Sequence, residues 1–243
     1  QNPLFQIAVT VADTIREGMI QQGMPPEKVI TLHNGFNQTF AVRHPQAAAS
    51  WRQQLLGEQK YLAVYSGGLN SFKGVDLLIQ AAKDLPQVQF VFAGGTSDQV
   101  NSYRQLAIDL QVQNVNFLGY ILHEQLASLL QAADVLVHPH CSGEEASFTS
   151  PLKFFDYLAS GTPIVATEIS ALQEFKAANV VAGWCEPDQS SQLVEVIQRV
   201  LMTHPRKPEG YCTSINFVQQ FSWENRIKKI LSYVDDALMP LLT

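Results

Sequence analysis

The segment from Thr149 to Lys153 has the composition of a helix start that would bind an anion. Ser150 is a good N-cap residue and Pro151 a good first helical residue, so a helix is predicted over 151–160. The dipole and the unpaired N–H groups of a helix N-terminus attract negative charge, and they disfavour the ammonium group of Lys153. Capping alone explains the serine and the proline but not the lysine. The segment therefore predicts a diphosphate site made by Thr149, Ser150, Leu152 and Lys153.

A second cation lies in a glycine-rich turn that follows a predicted buried strand over 61–66. The turn begins with Gly67 and Gly68 and ends with Lys73, before a predicted helix over 75–85. Glycines after a parallel strand let a ligand approach the backbone at the carboxyl edge of the sheet. A plain strand–helix turn with a solvated lysine has the same composition, so this turn alone leaves both interpretations open. The segment matches neither GxGxxG nor GxxxxGK[ST], which disfavours a dinucleotide dehydrogenase and a P-loop nucleotidase.

Asp156 and a second glycine pair each have two interpretations. Asp156 lies one helical turn beyond Lys153, where it could accept hydrogen bonds from a ribose diol or form a surface ion pair with that lysine. Gly94-Gly95 ends the next predicted strand, where a base, a ribose or simply a tight turn would fit.

Two histidines and a cysteine end the strand predicted over 135–138. His138, His140 and Cys141 have the chemistry of metal ligands. No remote partner with suitable spacing accompanies them, so we predict no metal site and expect His140 to line a cleft. A catalytic triad is disfavoured, because no GxSxG turn precedes a helix and Cys141 has no evident base partner.

Short apolar segments alternate with helical patterns through the middle of the chain. Segments such as VQFVFAG are apolar almost throughout, which is typical of strands buried on both faces of a parallel sheet. The alternation predicts a doubly wound, Rossmann-like α/β domain. Strands are predicted over 61–66, 87–93, 115–118, 135–138, 163–167 and 180–184, and helices over 75–85, 99–111, 124–133, 151–160, 190–203, 210–220 and 223–238.

The composition disfavours several classes of protein. The formal net charge is −6 and the 16 Lys and Arg are scattered, so we expect no nucleic-acid partner. Three widely separated cysteines indicate free thiols in a reducing compartment. We find no signal-peptide pattern and no apolar run of about 18 residues, the length that a membrane span needs. The chain does not begin with Met, and we expect it to be part of a longer protein.

Six motifs, in order along the chain, resemble the C-terminal half of group 1 (family 4) glycosyltransferases, whose GT-B fold has two facing Rossmann-like domains. They are 34–37 (NGVD in the family), 67–79 (GRLxxxKGVDxLI), 115–120 (VxFLG), 132–135 (AAD-V), 155–166 (FEYMASGxPVVA) and 221–224 (SW-E). The resemblance implies that 1–43 is the end of an N-terminal domain plus a linker. It also implies that 44–205 binds the nucleotide-sugar and that 206–243 forms helices packing back on the N-terminal domain.

By this resemblance, the activity would be transfer of a sugar, with retention, from a nucleotide-diphosphate-sugar donor, without metal or other cofactor. Lys73 matches the family's phosphate-binding lysine and Lys153 would assist it. Asp156 stands where the family has a ribose-binding glutamate, and no residue is assigned as catalytic. Donor-sugar contacts would come from His140, Glu144, Glu145 and Phe148.

The sequence departs from the family pattern at three positions. Gly68 replaces a phosphate-binding arginine, Phe148 replaces the first glutamate of an E-x7-E motif, and Asn37 replaces the aspartate of NGVD. Glu144 and Glu145 are close to position 148 but out of register. These departures leave open a GT-B nucleotide-sugar epimerase and a non-catalytic nucleotide-binding or scaffolding module.

The resemblance also bears on partners and location. In the family the acceptor binds to the N-terminal domain, so we expect this chain to bind donor and to be inactive alone. Glycan and lipid-linked acceptors are common in the family. The resemblance therefore implies a cytoplasmic enzyme with peripheral membrane association.

Overall fold

The computed structural model describes residues 5–147 and 152–234, whose strands form two parallel sheets. The small sheet pairs β1 (Ala8–Thr10) with β2 (Val29–Thr31). The main sheet contains β3 (Tyr61–Ser66), β4 (Val88–Ala93), β5 (Val115–Gly119), β6 (Val135–His138), β7 (Ile164–Thr167) and β8 (Gly183–Cys185). Their spatial order is β5-β4-β3-β6-β7-β8, with every neighbouring pair parallel.

Helices connect these strands and cover both faces of the main sheet. α1 (Asp13–Gln21) connects the two strands of the small sheet, and α2 (Pro45–Leu55) precedes the main sheet. The following helices are α3 (Val75–Lys83), α4 (Ser97–Asp109), α5 (His123–Ala132), α6 (Glu144–Ser147), α7 (Leu152–Ser160), α8 (Ser190–Thr203), α9 (Cys212–Val218) and α10 (Trp223–Leu231). The predicted doubly wound, Rossmann-like fold is confirmed.

The strand order reverses between β3 and β6, and this reversal places the candidate site. From β3 the chain moves outward through β4 to β5, and it then returns to β6 on the other side of β3. The connections after β3 and β6 therefore leave in opposite directions and open a crevice at the carboxyl edge of the sheet. The glycine turn that begins at Gly67 and the segment from His138 to Cys141 both lie at this crevice.

The continuous apolar strands are explained by a core on each face of the sheet. Along β3, Leu62 and Val64 belong to the cluster that includes α5 and α7, whereas Ala63 and Tyr65 belong to the cluster that includes α3 and α8. Burial of each large apolar side chain stabilises the fold by about 1.5–3 kcal/mol. The helix that follows Lys73, α3, and the helix that carries Lys153, α7, are thus held on opposite faces of the main sheet.

Helix α2 was not predicted from the sequence. Pro45 is its first residue, and the helix packs on α5, where the Trp51 indole donates to the Ser128 hydroxyl at 3.1 Å. Arg52 forms an ion pair with Asp134 at 2.8 Å, and the same carboxylate accepts the Leu62 N–H at 2.7 Å. Only two α2 residues are fully buried, so its helical pattern is weak in the sequence.

Two further boundaries differ from the prediction. The strand predicted over 180–184 is Gly183–Cys185 in the structure, and Ser170–Ala178 forms an unpredicted 3-10 helix. The last helix ends at Leu231, and the predicted continuation from 235 to 238 lies outside the described residues. Among the described helices, none has the length and hydrophobicity that crossing a bilayer requires.

The start of α10 contacts the segment that joins the two sheets. The Phe36 N–H donates to the Phe221 carbonyl at 3.1 Å, and Arg226 donates to the carbonyls of Leu32 and His33. These contacts fix residues 32–37 against the main domain. Asn37, at the end of this segment, therefore lies close to α7.

Candidate anion-binding site at the carboxyl edge of the sheet

The turn after β3 requires glycine because other groups approach its backbone closely. Gly67 has a φ of +127°, and a Cβ there would lie 2.9 Å from Lys153 Nζ. Gly74 has a φ of +67°, and a Cβ there would lie 1.8 Å from the Pro139 carbonyl oxygen. The turn is therefore held against both the end of β6 and the first turn of α7.

Lys153 is fixed by the phenol of Tyr65. Lys153 Nζ donates to Tyr65 Oη at 2.7 Å and lies 3.9 Å from the centroid of the same ring. The phenol in turn donates to the Gly68 carbonyl at 2.7 Å, and Tyr65 is 1% exposed. A short charge-assisted hydrogen bond and a cation–π contact thus hold the ammonium group beside Gly67.

Lys73 and Lys153 lie near enough for the charge of Lys73 to act on Lys153. Lys73 lies in the turn Ser71–Lys73, with its Nζ 4.5 Å from the Phe72 ring centroid. Burial lowers the pKa of Lys73. The pKa of Lys153 is well below its usual value because its ammonium group is buried and because the positive charge of Lys73 is near. Neither lysine has an ion-pair partner in the described part of the chain, so this cluster lacks a counter-charge.

Two buried imidazoles lie next to these cations. His138 and His140 pack ring on ring with centroids 3.9 Å apart, and His140 is 3% exposed. Burial lowers the pKa of His138, and the charges of Lys153 and Lys73 lower it further. The pKa of His140 is lowered by burial, by His138 and by the same two lysines. Both rings are therefore neutral, and their nitrogens have no hydrogen-bond partner among the described residues. His140 is therefore buried and does not lie at an open surface.

Asp156 does not pair with Lys153. Burial raises the pKa of its carboxyl group to about 7, and a hydrogen bond from the Asn37 backbone opposes this rise. The alternative of an Asp156–Lys153 surface ion pair is absent from the described structure. Asp156 is instead a half-buried carboxyl group facing the segment that joins the two sheets.

The remaining predicted site residues are only partly described. Leu152 is the first residue of α7 and is 46% exposed, so its side chain is open to solvent. Glu144 and Glu145 lie on the one-turn helix α6 and are exposed. Three predicted contacts, Phe148, Thr149 and Ser150, lie outside the described residues.

A hollow of about 620 Å³ lies at the carboxyl ends of β4 and β5. Its lining includes Gly95, Thr96, Arg104 and Tyr120. Tyr120 is 78% exposed, which leaves its ring face free to stack on a planar ligand. Gly94 approaches Gly67 closely, since a Cβ on Gly94 would lie 2.2 Å from the Gly67 carbonyl oxygen.

Tyr65 is the site residue that the sequence analysis missed. It stands in a continuous apolar strand, where a tyrosine is ordinarily a core residue. One signal was available: a buried tyrosine needs a partner for its hydroxyl group, and the next residues are Ser66-Gly67-Gly68.

Within the described residues, no group of three or more His, Cys, Asp or Glu could hold a metal ion.

Solved structures define the class of this fold. The Anabaena protein HepE in complex with UDP and glucose aligns with a TM-score of 0.75 and 21% identity, over 93% of this chain and 63% of HepE. Sucrose-phosphate synthase from Thermosynechococcus elongatus aligns with a TM-score of 0.72 and 23% identity, over 94% of this chain and 59% of the synthase. The fold is that of one half of a GT-B glycosyltransferase.

The chain belongs to the glycosyl transferases group 1, because that family matches residues 48–209, more than half of its 243 residues. Among curated relatives, the D-inositol 3-phosphate glycosyltransferase of Mycobacteroides abscessus is 27% identical over 219 residues, or 88% of this chain and 47% of the relative. A second, from Mycolicibacterium smegmatis, is 27% identical over 244 residues, or 94% of this chain and 54% of the relative. The chain spans about half the length of these relatives. The predicted resemblance and the transferase class are confirmed.

Proposed function

We propose that this chain is the donor-binding part of a retaining glycosyltransferase that uses a nucleotide-diphosphate-sugar. The observation that carries the proposal is the cluster formed by the half-buried Lys73 and the buried Lys153 ammonium group, which has no counter-charge in the described structure. Two like charges held together are costly unless an anion binds between them. A diphosphate carries the charge and the acceptor oxygens that such a cluster requires.

The same cluster would serve the chemistry of transfer. Negative charge grows on the diphosphate as the bond between the sugar and the phosphate breaks. Fixed ammonium groups in a partly dry crevice stabilise that charge without reorganisation during the reaction. This role needs no metal ion, since Lys73 and Lys153 already supply the positive charge.

The nucleoside would extend from the cluster along the carboxyl edge of the sheet. Asp156, one turn beyond Lys153 on α7, is our candidate for the ribose hydroxyl groups. The hollow bordered by Gly95 and Tyr120 is our candidate for the base. The HepE structure holds UDP on a similar fold, and UDP is therefore the first nucleotide to test.

We further propose that the sugar acceptor binds outside this chain. A glycan or a lipid-linked sugar would be the acceptor, at the cytoplasmic face of a membrane. The chain alone would bind donor but show little turnover, because it spans about half the length of its relatives.

The donor site can be tested by calorimetric titration of the chain with UDP, GDP and ADP. We expect one of these to bind, and we expect Lys73→Ala and Lys153→Ala each to weaken it at least tenfold, about 1.4 kcal/mol or more. Lys83→Ala is the matched control, since Lys83 is exposed at the far end of α3. Failure of all three nucleotides to bind would support a non-catalytic module instead. Binding that survives both site substitutions would remove the lysines from the phosphate site.

A further inference from the structure

Tyr65 contacts two segments that the proposed function assigns to the diphosphate. Its hydroxyl group accepts a hydrogen bond from Lys153 on α7 and donates one to the Gly68 carbonyl in the turn after β3. Each bond is 2.7 Å long. The donor directions are compatible, since an ammonium group can only donate and a carbonyl oxygen can only accept.

From these two hydrogen bonds we propose that Tyr65 is a positioning residue of the donor site. It sets the place of the Lys153 ammonium group and the spacing between α7 and the glycine turn, so that one diphosphate contacts both. The proposal rests on the proposed function, because it gives Tyr65 a role only if a diphosphate binds there.

The geometry explains why such a residue is needed in this chain. A free lysine side chain populates many rotamers, and fixing it costs up to about 2 kcal/mol of conformational entropy. Tyr65 already holds Lys153 in one place before any ligand arrives. One of the three N–H groups of the ammonium is used by the phenol, which leaves two for phosphate oxygens.

Because Gly68 replaces the family's arginine, Lys153 supplies a larger share of the positive charge at this site. Position 68 carries no side chain, so the described site has Lys73 and Lys153 as its cations. The Tyr65 hydroxyl group donates to the carbonyl of Gly68 and accepts from the ammonium group of Lys153. Tyr65 thus links Gly68, at the position of the family's arginine, to the ammonium group of Lys153.

The test is Tyr65→Phe, which keeps the buried ring and the cation–π contact and removes only the hydroxyl group. We expect the affinity for UDP and for inorganic pyrophosphate to fall about tenfold, the size of one charge-assisted hydrogen bond. Uridine binding, followed by NMR titration, should stay unchanged. Tyr211→Phe is the matched control, because its hydroxyl donates to the Pro205 carbonyl at 3.0 Å away from this site.

A double-mutant cycle separates positioning from general loss of structure. In a Lys153→Ala background, Tyr65→Phe should cause no further loss of UDP affinity, because the residue would act through Lys153. Equal losses in both backgrounds would overturn the proposal. So would an unchanged UDP affinity of Tyr65→Phe in a chain that binds UDP, whereas absence of binding by UDP, GDP and ADP in the unmodified chain would refute the proposed function itself.

A second readout needs no nucleotide. The reaction of Lys153 with an amine-directed reagent, followed by mass spectrometry against pH, reports the pH at which its ammonium group loses a proton. Loss of the phenol oxygen should move this midpoint to lower pH, since a hydrogen bond to the charged form is removed. An unchanged midpoint would show that Tyr65 does not hold the charged group.

Discussion

Gly67 and Lys153, 86 positions apart in the sequence, are so close that a Cβ on the glycine would lie 2.9 Å from the lysine Nζ. The contact joins the turn after β3 to the first turn of α7. The two segments meet because the turn begins, and α7 begins, at the same crevice of the sheet. A side chain at position 67 would occupy the space that the ammonium group now has.

Gly67→Ala should therefore weaken diphosphate binding more than it destabilises the fold. The positive φ of +127° adds about 1 kcal/mol or more of strain, and the methyl group displaces Lys153. We expect UDP affinity to fall about tenfold by calorimetry. Gly57→Ala is the matched control, with a φ of +60° away from the site: it should lower the free energy of unfolding but leave UDP affinity unchanged.

Gly68→Arg should strengthen the binding of UDP. A Cβ at Gly68 would meet nothing closer than 4.0 Å, and the residue does not have a positive φ, so a side chain fits there. The new guanidinium would add a bidentate phosphate donor, and we expect a several-fold gain in affinity that declines as salt is added. Gly68→Gln supplies similar length without charge. A gain of the same size with glutamine would contradict an electrostatic origin.

Binding of UDP should be coupled to uptake of a proton by Lys153. The pKa of Lys153 in the folded chain lies well below 10.5, so the free chain loses this charge earlier than an ordinary lysine would. A bound diphosphate favours the charged form, and the affinity should fall as the pH rises through the lowered pKa. Calorimetry in two buffers of different ionisation enthalpy would measure the uptake, and Lys153→Ala should abolish most of it.

The same shift makes the stability of the free chain depend on pH. Between the lowered pKa of Lys153 and 10.5, the unfolded chain binds more protons than the folded one. The free energy of unfolding contributed by this group therefore rises with pH across that window. Saturating UDP should reduce this rise.

Asp156 should have an opposite effect on stability at lower pH. Burial raises its pKa from 3.8 to about 7, so between these values the folded chain binds more protons than the unfolded one. Its contribution to the free energy of unfolding is present at low pH and declines as the pH rises toward 7. Urea unfolding of the unmodified chain and of Asp156→Asn over this range should show the decline only in the former. Parallel profiles would refute it.

The ion pair between Arg52 and Asp134 should matter for stability and not for binding. Asp134 also accepts the Leu62 N–H, so Asp134→Ala leaves this buried backbone donor without a partner. The half-buried Arg52 guanidinium loses its ion pair but still donates to the Ala132 carbonyl. We expect a loss of about 1–3 kcal/mol in the free energy of unfolding, with UDP affinity unchanged. Glu224→Ala, which removes the exposed pair with Lys228, is the control and should leave Tm unchanged.

Most strands and helices of the main sheet could be predicted from apolar runs and helical spacing alone. The predicted strands over 61–66 and 135–138 and the predicted helix over 190–203 coincide with β3, β6 and α8. Apolar runs and helical spacing are local patterns, so they can be interpreted without knowing which segments meet. The glycine turn and the two lysines are also local features, and the anion site inferred from them stays a prediction.

Which groups meet in the crevice depends on how distant segments pack. That Tyr65 holds Lys153, that Asp156 faces Asn37 and not Lys153, and that α2 packs on α5 all depend on contacts between residues distant in sequence. A tyrosine within a buried strand has the same apolar pattern whether its hydroxyl group meets a carbonyl or an ammonium group. Only the reversal of strand order between β3 and β6, which brings α7 against the turn after β3, gives that hydroxyl group its partner.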